Sequence, residues 1–326
     1  MSSLSVSSSG HKAHFDAGEF FRRYGTAIIF ILLVMCAASL SSSFLSERNI
    51  MNVLRQVSGT GIMAVGMLLV ILTRGIDLSV GSVAALGSVL SAVIVNHYSA
   101  GVSVAMVLAA GMLCGLVSGF LVAYLRLQPF VMTLAMMAVA RGLALIISNG
   151  QPVMMAEAGE SITDFGTSSI FGVPLPGVLM LCVFIAAGVL LNLTRFGRLV
   201  KAIGSNEEAV HLSGIPVARY VLAVYAISGA LAALAGVIIT SRSGVGSATV
   251  GVGAELDVIA AVVIGGASLA GGRGGVFNTL LGVLVFGVIG NIMNLINVPG
   301  YHQQVCMGVI IVLAMLLQKG TGWLKR

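Results

Sequence analysis

The chain has 326 residues, 58% of them hydrophobic and only 9% charged, with a formal net charge of +6. Soluble domains are about half apolar and about a quarter charged. A mean hydropathy of +1.06 therefore excludes a self-solvating globule and marks a polytopic membrane protein. The cation excess calls for no nucleic-acid partner, because an inside bias of Lys and Arg across a membrane accounts for it.

Residues 1–24 read as a polar, serine-rich cytoplasmic tail, with Arg22 and Arg23 as anchor charges before the first apolar run. A bilayer-crossing helix needs about 20 mostly apolar residues. Windows that meet or approach this are 25–45, 57–73, 78–96, 101–125, 129–148, 175–194, 219–241, 256–270, 275–297 and 301–318. The expected architecture is thus all-α with about ten transmembrane helices, the eighth short. The transmembrane domain covers 25–318, followed by a cytoplasmic tail at 319–326. Alternating the sides from a cytoplasmic N-terminus puts thirteen of the 17 cations inside and three outside, with Arg141 inside a span. That asymmetry predicts cytoplasmic N- and C-termini. The loop 149–174 then lies outside, carrying Glu157, Glu160 and Asp164 and no cation.

The two halves resemble each other. The second window runs through Arg74 into IDLSVGSVAALGSVLSA, and the seventh through Arg242 into ELDVIAAVVIGGASLAG. In each, a glycine-bearing break and an aspartate precede a Gly/Ser/Ala-rich span. An offset of five spans makes the copies opposite in orientation, and inverted repeats build many transporters around such interrupted segments. Asp77 and Asp257 are read as helix-start residues that satisfy N–H groups and complement the helix dipole. With Gly75 and Gly81 they are also candidates for a translocation path or gate. Arg141 must face protein, backbone carbonyls or water. Asn291 and Asn294, at i and i+3, either line a polar path or hydrogen-bond neighbouring helices. Gly111, Gly115 and Gly119 form a helix-packing stripe, within the subunit or with a second copy. The 42 glycines fit close packing of this kind.

The segment 195–220 holds more charge than any other internal stretch. Ser205 and Glu208 make an S-x-x-E capping box, Gly214 stands where a helix stops and Pro216 prevents its resumption. A helix of about two turns over 206–213 is expected there. It serves either to connect two spans or to be gripped by a soluble partner.

Several chemistries find no support. GGRGG at 271–275 lacks the G-x-x-x-x-G-K-[ST] pattern of a phosphate cradle, which occurs nowhere in the chain. There is no H-E-x-x-H, and no carboxylate is read as mid-span, where an ion-coupled carrier would need one. The cysteines at 36, 114, 182 and 306 stand singly, which suggests neither disulfides nor a metal site. No catalytic or metal-binding residue is assigned.

GIMAVGMLLVILTRGIDLSVGS (61–82), PFVMTLAMMAVARG (129–142), AIGSNEEAVHLSGIPV (202–217) and ELDVIAAVVIGGASLAGGRGG (255–275) together resemble the permease subunits of bacterial ABC importers for monosaccharides. The ribose and allose type is the nearest, as SNGQPV (148–153) and the overall length suggest. One departure is Arg74, where such permeases usually carry a small residue. The resemblance implies a multi-pass inner-membrane permease with no enzyme activity and no cofactor of its own, ATP being bound by a partner. The implied partners are a cytoplasmic ABC ATPase, a periplasmic sugar-binding protein and a second permease copy, a homodimer in preference to a heterodimer. The stretch 202–217 corresponds to the family's ATPase-coupling loop, which assigns coupling to Gly204, Asn206, Glu207, Glu208, Leu212 and Gly214. Alternative readings are a permease for a nucleoside, autoinducer-2 or a branched-chain amino acid, or a facilitative carrier that works without ATP.

Overall fold

The structure, a computed structural model, describes the backbone of residues 17–323 and the side chains of 25–313. In chain order the helices are α1 (Ala17–Leu40), α2 (Glu47–Leu72), α3 (Val80–Val95), α4 (Ala100–Ala123), α5 (Pro129–Ile147), α6 (Glu160–Thr167) and α7 (Leu175–Leu193). They continue with α8 (Arg195–Ser205), α9 (Glu207–Leu212), α10 (Val217–Ser243), α11 (Ala254–Ile264), α12 (Val276–Leu295) and α13 (Gly300–Trp323). Two-residue strands β1 (Val153–Met154), β2 (Ser169–Ile170), β3 (Val173–Pro174) and β4 (Val245–Gly246) pair as β1–β4 and β2–β3, both antiparallel.

Among the described residues six helices, α2, α4, α5, α7, α10 and α12, are long and apolar enough to cross a membrane. Shorter apolar helices cover Gly25–Leu40, Val80–Val95 and Gly300–Leu313. The window 256–270 is helical only as far as Ile264. Its 11 residues rise about 16 Å, roughly half a hydrocarbon core, and Gly265–Gly266 end it with Gly266 at φ 83°. Helix α2 starts ten residues before its predicted window, because Ser46 caps it by accepting from Asn49 N at 3.3 Å. Helix α1 begins at Ala17, inside the stretch read as a polar tail. The remaining tail positions, 1–16 and 324–326, lie outside the described residues.

The core is the antiparallel pair α2 and α10. Gly59 faces Ile239 and Gly66 faces Ser228, so residue number rises along one helix as it falls along the other. Lipid is as apolar as leucine side chains, and small residues that let backbones approach are what hold such helices together. A Cβ at Gly66 would stand 2.9 Å from Ser228 Cα. The stripe Gly111, Gly115, Gly119 on α4 lies against Gly229, Tyr225 and Leu222 of α10, so its contact is within the subunit.

Each half lends a helix to the other. Helix α3 follows α2 in sequence but packs along α10, and α11 follows α10 but also packs on α2. The contacts of Ala84 with Gly236 and of Ser88 with Thr240 set α3 parallel to α10. Helix α12 covers α2 and α11, with Gly282 pressed on Ala261 O. At the end of the bundle away from α8 and α9, β1 and β4 pair Val153 with Gly246. They join the loop of one half to the break of the other.

Candidate functional site

The polar segment between α7 and α10 folds as two helices in succession. Thr194 caps α8 by accepting from Gly197 N at 3.3 Å. Gly197, Val200, Ile203 and Gly204 are buried while Arg195 and Arg198 are exposed, which makes α8 an amphipathic lid on one end of the bundle. The capping box proves to be placed one residue early. Ser205 is still helical, and its Oγ donates to Lys201 O at 3.0 Å. Only Asn206, at φ −156° and ψ 94°, has the extended backbone of a cap, and its Oδ1 accepts from Ala209 N at 3.0 Å.

Helix α9 therefore spans Glu207–Leu212, shorter than expected. Gly214 closes it at φ 78°, with its N–H donating to His211 O at 2.9 Å. Val210 packs with Ile203 and Val217 in a small buried cluster, which fixes α9 to α8 and to the start of α10. Glu207, Glu208 and Leu212 face outward, Leu212 with 78% of its surface exposed. Two acids and an exposed leucine on this short helix form a surface that a basic, partly apolar groove would fit.

Gly204 does not belong to that surface. It is buried, and a Cβ there would stand 1.7 Å from Leu72 O and 2.5 Å from Gly272 N. Gly272 N donates to the same Leu72 carbonyl at 3.0 Å. Sequence reasoning dismissed GGRGG as a phosphate cradle and gave it no other task. In the fold it seats the last turn of α2 against the last turn of α8, with Gly271 at φ 85° and Gly272 at φ 72°. Arg74 joins the same junction. Its Nε donates to Gly204 O at 2.8 Å and Ala270 O at 3.1 Å, and its Nη2 to Ser205 O at 2.8 Å. The available signal was a positively charged residue where the family resemblance led one to expect a small one.

Beyond Arg74 the chain enters the break before α3. Asp77 is 1% exposed and accepts from Ser79 N at 3.0 Å, Ser79 Oγ at 2.6 Å and Ser228 Oγ at 2.9 Å. Ser228 lies 11 residues into α10, about 16 Å along its axis. A carboxylate thus sits deep in the bundle, contrary to the expectation of none mid-span, because the break carries the chain inward before α3 begins. Asp77 caps no N–H of α3 itself. It closes a local turn and bridges to α10. Gly75 lies against the Tyr225 hydroxyl, 2.5 Å from where its Cβ would be, and that buried hydroxyl has no hydrogen-bond partner. Gly81 packs on Gly251 O of the opposite break and on Glu255 in the first turn of α11.

Of the three surroundings left open for Arg141, the fold supplies backbone carbonyls. Arg141 donates to Ala248 O and Val250 O, so a side chain of α5 holds the break between β4 and α11. Asp257 lies in the first turn of α11, where its charge complements the helix dipole. Asn291 and Asn49 exchange two amide hydrogen bonds of 2.9 and 2.8 Å between α12 and α2. Asn294 accepts from Gln303 at 2.8 Å. Both asparagines are engaged in tying helices together.

The opposite end of the bundle bears a cavity of about 440 Å³ between α2, α6 and α10, lined by Arg55, Thr167 and Arg242 among others. Among the described residues no group of three or more His, Cys, Asp or Glu side chains is placed to hold a metal, and the four cysteines are free.

A family model described as "Branched-chain amino acid transport system / permease component" matches residues 49–315. The chain is 44% identical over 293 residues, 89% of its length and 91% of the relative's, to the ribose import permease protein RbsC of Escherichia coli K12. It is 40% identical to RbsC of Bacillus subtilis 168, covering 94% of this chain and 95% of the relative. To the L-arabinose transport system permease protein AraH of Escherichia coli K12 it is 39% identical, over 98% and 97% of the two lengths. No solved structure matches the chain.

Proposed function

The chain belongs to the branched-chain amino acid transport system / permease component family, and from that premise we propose that it is the membrane permease of an ATP-driven ABC importer for a monosaccharide of the ribose type. The observation that carries this reading is the near-full-length likeness to ribose and arabinose permeases. The projecting helix α9 supports it. The family description names amino acids, but sugar is favoured because these relatives, matched along almost their whole length, are permeases of sugar transport systems.

The chain is a multi-pass inner-membrane protein that crosses ten times. The six long apolar helices are completed by α1, by α3 and α11 each together with the break that precedes it, and by α13, with both termini and α8–α9 in the cytoplasm. The reciprocal packing of α3 on α10 and α11 on α2 supports an inverted repeat. A separate ABC ATPase grips α9 through Glu207, Glu208 and Leu212, a periplasmic binding protein delivers the sugar to the opposite end, and a second copy of the chain completes the path. The chain itself catalyses nothing and holds no cofactor.

The structure of the handle explains how a pull can be transmitted. Asn206 and the cluster of Ile203, Val210 and Val217 make α8 and α9 one body. Gly204 brings that body into backbone contact with the end of α2, so displacement of α9 reaches the central helix pair directly. Gly75, Asp77 and Gly81 lie in or next to the break that must flex when α2 shifts against α3. Arg141 holds the corresponding break of the other half, and Asp257 lies in the first turn of the helix that follows it.

The test is reconstitution of the chain with its ATPase and binding protein in liposomes, with ribose, arabinose and leucine as cargo. Ribose should give the highest uptake and the greatest stimulation of ATP hydrolysis. Glu207→Ala combined with Glu208→Ala should lower that stimulation about tenfold, within the span typical of coupling between sites. Uptake driven by the chain alone, or a preference for leucine, would overturn the reading.

A further inference from the structure

The Arg74 side chain makes the most extensive polar contact at the junction beneath α9. We infer that Arg74 is a positioning residue that locks α8, the end of α2 and the 266–275 loop into one body, so that force applied to α9 reaches α12 as well as α2. The inference rests on the reading of α9 as the ATPase-coupling handle.

Three features carry it. The first is the set of acceptors. Gly204 and Ser205 are the last two residues of α8, and the final carbonyls of a helix lack intrahelical partners and carry its negative pole. A guanidinium at that place satisfies two of them and meets the dipole with opposite charge. The third acceptor, Ala270 O, belongs to the loop that runs through Gly275 into α12. One side chain just past the end of α2 therefore spans elements 130 and 196 residues away in sequence.

The second is geometry. Nε and Nη2 of one guanidinium lie in a plane at fixed spacing and address two successive carbonyls at 2.8 Å each. A lysine has a single ammonium on a flexible stem and cannot reproduce that fork. The third is the backbone. Arg74 has φ 65°, a left-handed conformation uncommon for any residue but glycine. Arginine occupies a position where glycine would suit the backbone better, and what it adds there is the side chain. Gly271 completes the fit, since a Cβ there would stand 2.4 Å from Arg74 Cγ.

Without the guanidinium, Ala270 O would lose its tie to the end of α2, while the hydrogen bond from Gly272 N to Leu72 O would remain. A displacement of α8 would then still reach α2 through Gly204, and α12 through its packing on α2 at Val57–Gly287 and Asn49–Asn291, but the direct route through the glycine-rich loop to the start of α12 would be slack.

Arg74→Gly tests this cleanly, because it removes the guanidinium while relieving the backbone. In the full complex with ATPase and binding protein, with ribose as probe, Arg74→Gly should bind the ATPase as wild type does. It should transport about fivefold less ribose per ATP hydrolysed, a change at the low end of measured site-to-site couplings. Arg74→Lys should fall between the two. In the full-length permease alone, amide hydrogen exchange at Gly271 and Gly272 should quicken in Arg74→Gly, a readout that does not depend on transport. Unchanged protection of those amides, or an unchanged transport ratio, would overturn the inference. If instead the wild-type complex shows no stimulation by the binding protein, the proposed function fails, whatever the exchange data say.

Discussion

Individual residues here are distinguished by what a single atom would meet. Gly204 and Gly214 both lie in the coupling stretch and both were assigned to it on resemblance, yet they differ physically. A Cβ at 204 would overlap the Leu72 carbonyl, whereas at 214 nothing lies within 4 Å and only the left-handed backbone disfavours a side chain. Thermal unfolding in detergent should therefore separate them. Gly204→Ala is expected to lose about 3 kcal/mol or more, as overpacking against an immovable backbone does. Gly214→Ala should lose roughly 1 kcal/mol, the cost of a left-handed non-glycine residue. Equal losses would mean that the backbone contact at 204 is not formed. The glycine-rich pattern was visible in the sequence, but which glycine meets a carbonyl 132 residues away was not.

At the scale of elements, helix spacing and hydropathy located the apolar segments well, and they missed where helices stop for tertiary reasons. Windows 129–148 and 175–194 match α5 and α7 within a residue, because a proline at the start and a polar run after each are local signals. The window at 256–270 failed after Ile264. Its glycines let the chain turn back beneath Arg74, and hydropathy does not record a turn. The stripe on α4 was legible as a packing surface, but its partner was not. A Cβ at Gly115 would stand 2.1 Å from Tyr225 O of α10. Gly115→Leu should accordingly lower the melting temperature of the isolated chain by prising α4 from α10. A variant that melted normally but lost self-association would place the stripe at a contact between copies instead.

For the whole molecule, the two ends of the bundle are chemically different. One carries α8, α9 and the Arg74 junction. The other carries the β1–β4 ribbon, α6 and the cavity beside Arg55 and Arg242. In a variant whose four cysteines are replaced, Leu212→Cys should react with a membrane-impermeant thiol reagent only from the cytoplasmic side. Phe171→Cys, at a fully exposed position between β2 and β3, should react only from outside. Labelling of both from one side would reverse or remove the handle.

The sequence by itself determined the membrane class, most of the helices, the family and the short, exposed, acid-bearing helix α9, because hydropathy, capping and motif order are local properties of neighbouring residues. Tertiary structure alone decided that Asp77 lies deep against α10, that Arg141 and Arg74 satisfy backbone carbonyls, and that GGRGG joins α2 to α8. Those outcomes depend on which small residues let two backbones approach. That is settled by how antiparallel and exchanged helices pack, over separations of more than a hundred residues that no local pattern encodes.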